Sequence, residues 1–179
     1  MKKPSFEELK KGTDYLEFHL RMYIETYNEL NSEKELCGWN TKHNCYLESN
    51  LLHARVLIEF FTTPPESKNY PTDLIAEDYI EDWNAKYVKG LKLNHEFLIT
   101  CKKKIGGVQF HLTSIHSPLL ISQQEWPISE IFKNLYPMIL EFTNLIPNEK
   151  VDPDSHITTK QLIDNLIFLN DEYKENFST

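Results

Sequence analysis

The side chains best suited to gripping a ligand lie on one stretch, Asn44 to Thr62 (NCYLESNLLHARVLIEFFT). Read as a helix at about 100° per residue, it brings Glu48, Arg55, Glu59 and Thr62 within roughly 60° of one another. The rest of its circumference is apolar: Leu47, Leu51, Ala54, Ile58 and Phe61 form one seam, and Leu52, Val56, Leu57 and Phe60 cover most of the remainder. Two acids and an arginine on a helix so enclosed need partners. One reading is an ionic strip, with Arg55 and Glu59 one turn apart, that fixes how helices pack. The other turns Arg55 toward a cleft, where a planar guanidinium holds a carboxylate or phosphate group in a bidentate grip.

Other chemistry is mostly absent. Cys37, His43 and Cys45 supply three zinc-type ligands, but their spacing matches no closed structural site and no fourth ligand stands nearby. His111 and His116 are separated by about 140° on a helix and do not share a metal. His53 points away from the charged strip and reads as a packed or surface imidazole. The chain has no H-E-x-x-H, no E-x-x-H, no G-x-x-x-x-G-K-[ST] and no G-x-S-x-G. No metal and no cofactor are expected.

The elements that must position the strip follow from periodicity. Ser5 and Glu8 have capping-box spacing and Gly12 suits a helix stop, so a short leading helix is expected. Thr13 or Asp14 then caps a longer one to about Leu30, with Leu16, Leu20, Tyr23, Tyr27 and Leu30 inward and Glu17, Arg21 and Glu25 as surface decoration. Pro64 and Pro65 end the central helix. A further helix is expected from Thr72 or Asp73 to about Trp83, with Glu77, Asp78, Glu81 and Asp82 as its solvated face. Another runs from Tyr87 to about Ile105. Between Gly106 and Ser122 helix-then-loop and hairpin readings compete. Ile128, Ile131, Leu135, Met138, Phe142 and Leu145 make a long seam in which Pro137 should kink or split the helix. Leu162, Leu166, Leu169 and Tyr173 make a last one. The fold class is all-α: an antiparallel helical bundle of four to six main helices around a central buried helix, 44–62, in a single domain spanning 1–179.

Charge and composition narrow the partners. Nineteen Lys and Arg against 27 Asp and Glu give a net charge of −8, and only Arg21 and Arg55 are arginine, which disfavours nucleic acid. Ten Phe, nine Tyr and three Trp in 179 residues argue against disorder. Three cysteines without a C-x-x-C, no secretory signal and no apolar run of about 20 residues point to a cytoplasmic protein off the membrane.

The combination of His53-Ala54-Arg55 and Leu57-Ile58-Glu59-Phe60-Phe61, followed by His111-Leu112-Thr113 and a tryptophan before a long helix, resembles a group of uncharacterised small bacterial helical proteins over half the chain. That likeness implies that His111 approaches the central helix, completing a candidate cluster of Glu48, Arg55, Glu59 and His111. A looser likeness is to the HEPN class, many of them ribonucleases or inactive relatives in toxin–antitoxin and phage-defence systems, whose active members carry arginine, four to six residues, then histidine. The chain departs from that pattern, having Thr26, Tyr27 and Asn28 after Arg21 and Phe60, Phe61 and Thr62 after Arg55. Two functional expectations result: a non-catalytic helical binding protein with a protein partner or a second copy of itself, and an RNA-associated or defence-linked protein acting through Arg55, Glu59 and His111.

Overall fold

The computed structural model describes residues 3–32, 41–89, 91, 93–109 and 126–155. Among them every regular element is helical. The helices are α1 (Phe6–Ser32), α2 (Thr41–Thr62), α3 (Ala76–Tyr79), α4 (His95–Gln109) and α5 (Ile128–Leu145), with 3-10 turns at Pro65–Ser67 and Asn148–Lys150 and a π-helical turn at Trp83–Val88. The all-α expectation therefore holds. The expected terminal helix, the Cys37 to Trp39 connection and the stretch 110–125 lie outside the described residues.

Helix α2 starts at Thr41 rather than Asn44, and its surroundings explain its apolar girth. It touches α1, α3, α4, α5 and the π-helical turn. Leu51, Ala54, Leu57, Ile58 and Phe61 are fully buried, whereas Leu52 and Val56 are only half-buried. Around its C-terminal end the rings of Phe60, Phe61, Tyr79, Trp83 and Phe142 pack edge to face or tilted, as ring quadrupoles favour. Trp83 donates from Nε1 to the Phe61 carbonyl at 3.0 Å, satisfying one of the acceptors a helix leaves open at its last turn. Near the middle of α2, Asn50 donates from Nδ2 to the Tyr23 carbonyl at 2.9 Å and to Thr26 Oγ1 at 3.2 Å, fixing the rotation of α2 against α1.

Several boundaries differ from those expected, each for a tertiary reason. The leading and second helices are one, and Gly12 lies inside α1 rather than at a stop. A Cβ there would overlap the Leu74 side chain and the Tyr79 hydroxyl, so glycine serves close approach, not termination. Tyr79 uses that space to donate to the Leu9 carbonyl at 3.0 Å. The helix expected through Trp83 is only the short α3: Ile75 and Ile80 are extended on either side of it, and Asp82 takes a left-handed φ of 57°. That break lets Tyr79 reach α1 while Trp83 reaches the end of α2. Tyr87 falls in the π-helical turn and α4 begins only at His95. Helix α5 runs through Pro137 without being split. Its seam residues Ile131, Leu135, Met138 and Phe142 are buried, and that burial holds the helix together across the missing donor.

Candidate functional site

Where α2 ends, Thr62 donates to the Ile58 carbonyl at 2.6 Å and the following prolines forbid another turn. The chain then doubles back. Tyr70 to Asp73 forms a tight turn with Pro71 in its second position: Asp73 N–H donates to the Tyr70 carbonyl at 3.1 Å, and the Asp73 carboxylate accepts from Tyr70 N–H at 2.9 Å. Asn69 is placed to donate from Nδ2 to Glu59 Oε1 at 2.8 Å. The returning segment, α1 and α2 border an open cavity of about 530 Å³.

Helix α1 contributes Tyr15, Leu16 and His19 to its wall, and α2 contributes Arg55, Glu59 and Phe60. The connection adds Tyr70, Asp73 and Leu74, and Tyr79 of α3 closes one side. Tyr15 and Tyr70 are 73% and 68% exposed, among the most open large apolar side chains described. The Tyr79 phenol is pushed well above its ordinary range by burial and then by the neighbouring Asp78 charge, so it stays a neutral donor.

His19 belongs to a second feature as well. Its Nδ1 lies 2.8 Å from Nδ1 of His53, across the α1 and α2 interface. The Phe18 ring meets both imidazoles in T-shaped contacts, at centroid distances of 5.5 and 5.4 Å. Two nitrogens at that separation share one proton, so one ring donates and the other accepts. Burial lowers the His19 pKa; burial and then His19 itself lower that of His53 to about 4. Both rings are therefore neutral at pH 7, and the pair is a hydrogen bond rather than a charged contact.

Of the expected cluster, the structure brings Arg55 and Glu59 together on the cavity wall and leaves Glu48 out. Glu48 is exposed toward the start of α2 and lines no part of the cavity. His111 lies outside the described residues. Arg55 runs beside α4, where a Cβ added at Gly106 would come to 3.4 Å from its Nε, so a glycine gives the guanidinium stem its passage. Glu59 is engaged by Asn69, a partner from ten residues downstream that helical spacing does not reveal.

Two further assignments change. Asp78 and Glu77 are not a solvated face. Asp78 pairs with Lys68 at 2.6 Å with side-chain exposures of 13% and 4%, and it also accepts from Ile75 N–H. Glu77 accepts from Asn84 N–H at 3.0 Å. Arg21 pairs with Glu17 at 2.7 Å at the expected one-turn spacing and is 38% exposed, but Glu17 is more than decoration: it also accepts from the buried Ser155 hydroxyl at 2.8 Å, tying α1 to the segment after α5. Sequence reasoning overlooked His19, Tyr15, Tyr70 and Asp73. A histidine beside the Leu16, Leu20 and Tyr23 seam was the only signal for His19, and its meaning depends on His53 facing it.

Cys45 is exposed and Cys101 is buried, with its thiol pushed up chiefly by that burial. Among the described residues no three His, Cys, Asp or Glu side chains converge as metal ligands, and no helix is long and apolar enough to cross a membrane. No protein-family model, curated protein or solved structure matches the chain.

Proposed function

We propose that the protein is a non-catalytic binding protein and that the cavity between α1, α2 and the Asn69 to Ile75 segment is its recognition site. The observation that carries this reading is the pairing of a half-buried arginine with two open tyrosines at one concavity. A guanidinium fixes an anionic group bidentately, and flat aromatic walls take an apolar body at little entropic cost. The ligand class is a carboxylate, sulfonate or phosphate on a flat or apolar frame, free or on a partner. Glu59 and Asp73 restrict it further, since a second anionic group would meet them.

Naphthalene-2-sulfonate, a permanent anion on a flat frame, tests this by calorimetry. Arg55→Met keeps the aliphatic stem and removes the guanidinium, so affinity should fall by roughly tenfold or more, on the order of one charge-assisted contact. An affinity untouched by Arg55→Met, with unfolding also unchanged, would remove the reading. A protein ligand is the second reading, favoured by Phe6 and Phe18, which are 59% and 53% exposed on the same helix as Tyr15. Light scattering over a concentration series tests whether a second copy supplies it. The RNA-directed alternative needs His111 beside Arg55, and loss of an RNA-linked phenotype in His111→Ala with folding intact is the result that would favour it.

A further inference from the structure

The His19 and His53 pair has a bonding capacity fixed by a proton count, and one of its members stands on the cavity wall. With one shared proton, one Nδ1 donates and the other accepts. The donor ring then has a lone pair on its outer nitrogen, and the acceptor ring has an N–H there. One added proton leaves the Nδ1 bond in place, because an imidazolium donates to a neutral imidazole. It also turns both outer nitrogens into donors and leaves one positive charge. A second added proton would set two N–H groups against each other at 2.8 Å and break the link between α1 and α2. The half-buried His19 accommodates the charge more readily than His53, which is only 4% exposed.

We infer that the His19 and His53 pair is a one-proton switch on the recognition site: uptake of a single proton, with the helices still joined, adds a cation to the lining of the cavity that Arg55 also lines and strengthens binding of an anionic ligand. This rests on the site reading above and states how that site is regulated. The groups that line the cavity with His19 come from every element around it. Tyr15 comes from α1, Arg55 and Glu59 from α2, Asp73 from the returning connection and the neutral Tyr79 phenol from α3, while Phe18 flanks both rings. Glu59 and Asp73 line the same cavity, to which α1 contributes His19 and α2 contributes Arg55. The lowered proton affinity of both rings puts uptake on the acid side of neutrality.

Two measurements on the intact chain separate this inference from the site reading. The first follows the ring nitrogens of both histidines by NMR from pH 7.5 to 4.5, with near-ultraviolet circular dichroism reporting the fold. The expected result is a coupled titration of His19 and His53 in which the first proton arrives while the aromatic dichroism is unchanged. Independent titrations at ordinary histidine values, or loss of the dichroism with the first proton, would overturn the switch. The second measures naphthalene-2-sulfonate affinity at pH 7.5 and 5.5. A rise of roughly fivefold is expected in the parent chain, below the tenfold per pH unit that one linked proton permits, and no rise in His19→Gln, whose binding should still depend on Arg55. If His19→Gln keeps the rise, the switch is wrong and the site stands. If the probe ignores Arg55 at both pH values, the site reading fails and takes the switch with it, whatever the NMR titration shows.

Discussion

The junction at Lys68 and Asp78 and the junction at His19 and His53 both put polar atoms where little water reaches, and they meet the cost in different ways. Lys68 and Asp78 are an ion pair at 2.6 Å, and Asp78 also caps Ile75 N–H at 2.9 Å. Lys150 adds donations to the Asp78 and Tyr79 carbonyls at 3.0 and 2.6 Å. The Lys68 contact reaches across ten residues and the Lys150 contacts across 72 and 71, so the junction ties together segments that helical spacing does not join. The histidines instead hold α1 to α2 through one shared proton and no charge, which makes their junction the one whose bonding changes when a proton is added. A fixed ionic clamp suits a structural role, and a titratable link beside a cavity suits a regulated one.

The largest expected effect is at the ionic clamp. Asp78→Ala strands the Lys68 ammonium and removes the cap on α3, and should cost about 3 to 5 kcal/mol in urea unfolding, whereas Lys68→Met with Asp78→Leu should recover much of that. Equal losses in the single and double variants would mean that the pair is not a closed unit. The histidine junction should respond to pH with a definite sign. His53 takes up its proton at about 4 when folded and at 6.5 when unfolded, so between those values the unfolded chain binds more protons. Stability should be fully present above pH 6.5 and fall as the pH drops toward 4, by on the order of 2 to 3 kcal/mol, and His53→Gln should flatten that slope. A slope of opposite sign would contradict the buried neutral pair.

Gly12 is where the two regions meet, since it lines the cavity and packs on Tyr79, the neighbour of Asp78. Gly12→Ala should destabilise by about 1 to 3 kcal/mol through overpacking and also weaken probe binding. A stabilised Gly12→Ala, as expected for a mid-helix glycine without close neighbours, would show that the approach of Leu74 is slack. The smallest effect is expected for Tyr79→Phe, which removes the bond to the Leu9 carbonyl at 3.0 Å and should cost about 1 kcal/mol with the aromatic cluster intact.

Periodicity located the candidate site only in part. It put Arg55 and Glu59 on one face because residues four apart share a face on any helix. Nothing in that spacing says that Asn69 takes Glu59 or that Glu48, on the same strip, stays outside the cavity.

The sequence by itself determined the helical class, the seams of α1, α2 and α5, and the stop at Pro64, because each is a property of neighbours along the chain: a repeat near 3.6, a missing donor, a restricted dihedral. The tertiary structure alone decided that Gly12 continues a helix, that α3 breaks before Trp83, that Asp78 is clamped by Lys68, and that His19 meets His53. Each of those depends on what another segment brings to within a few ångströms, from as few as ten to as many as seventy residues away. Burial turns a surface-type side chain into one that must be paired, and burial is set by the packing of all the helices together.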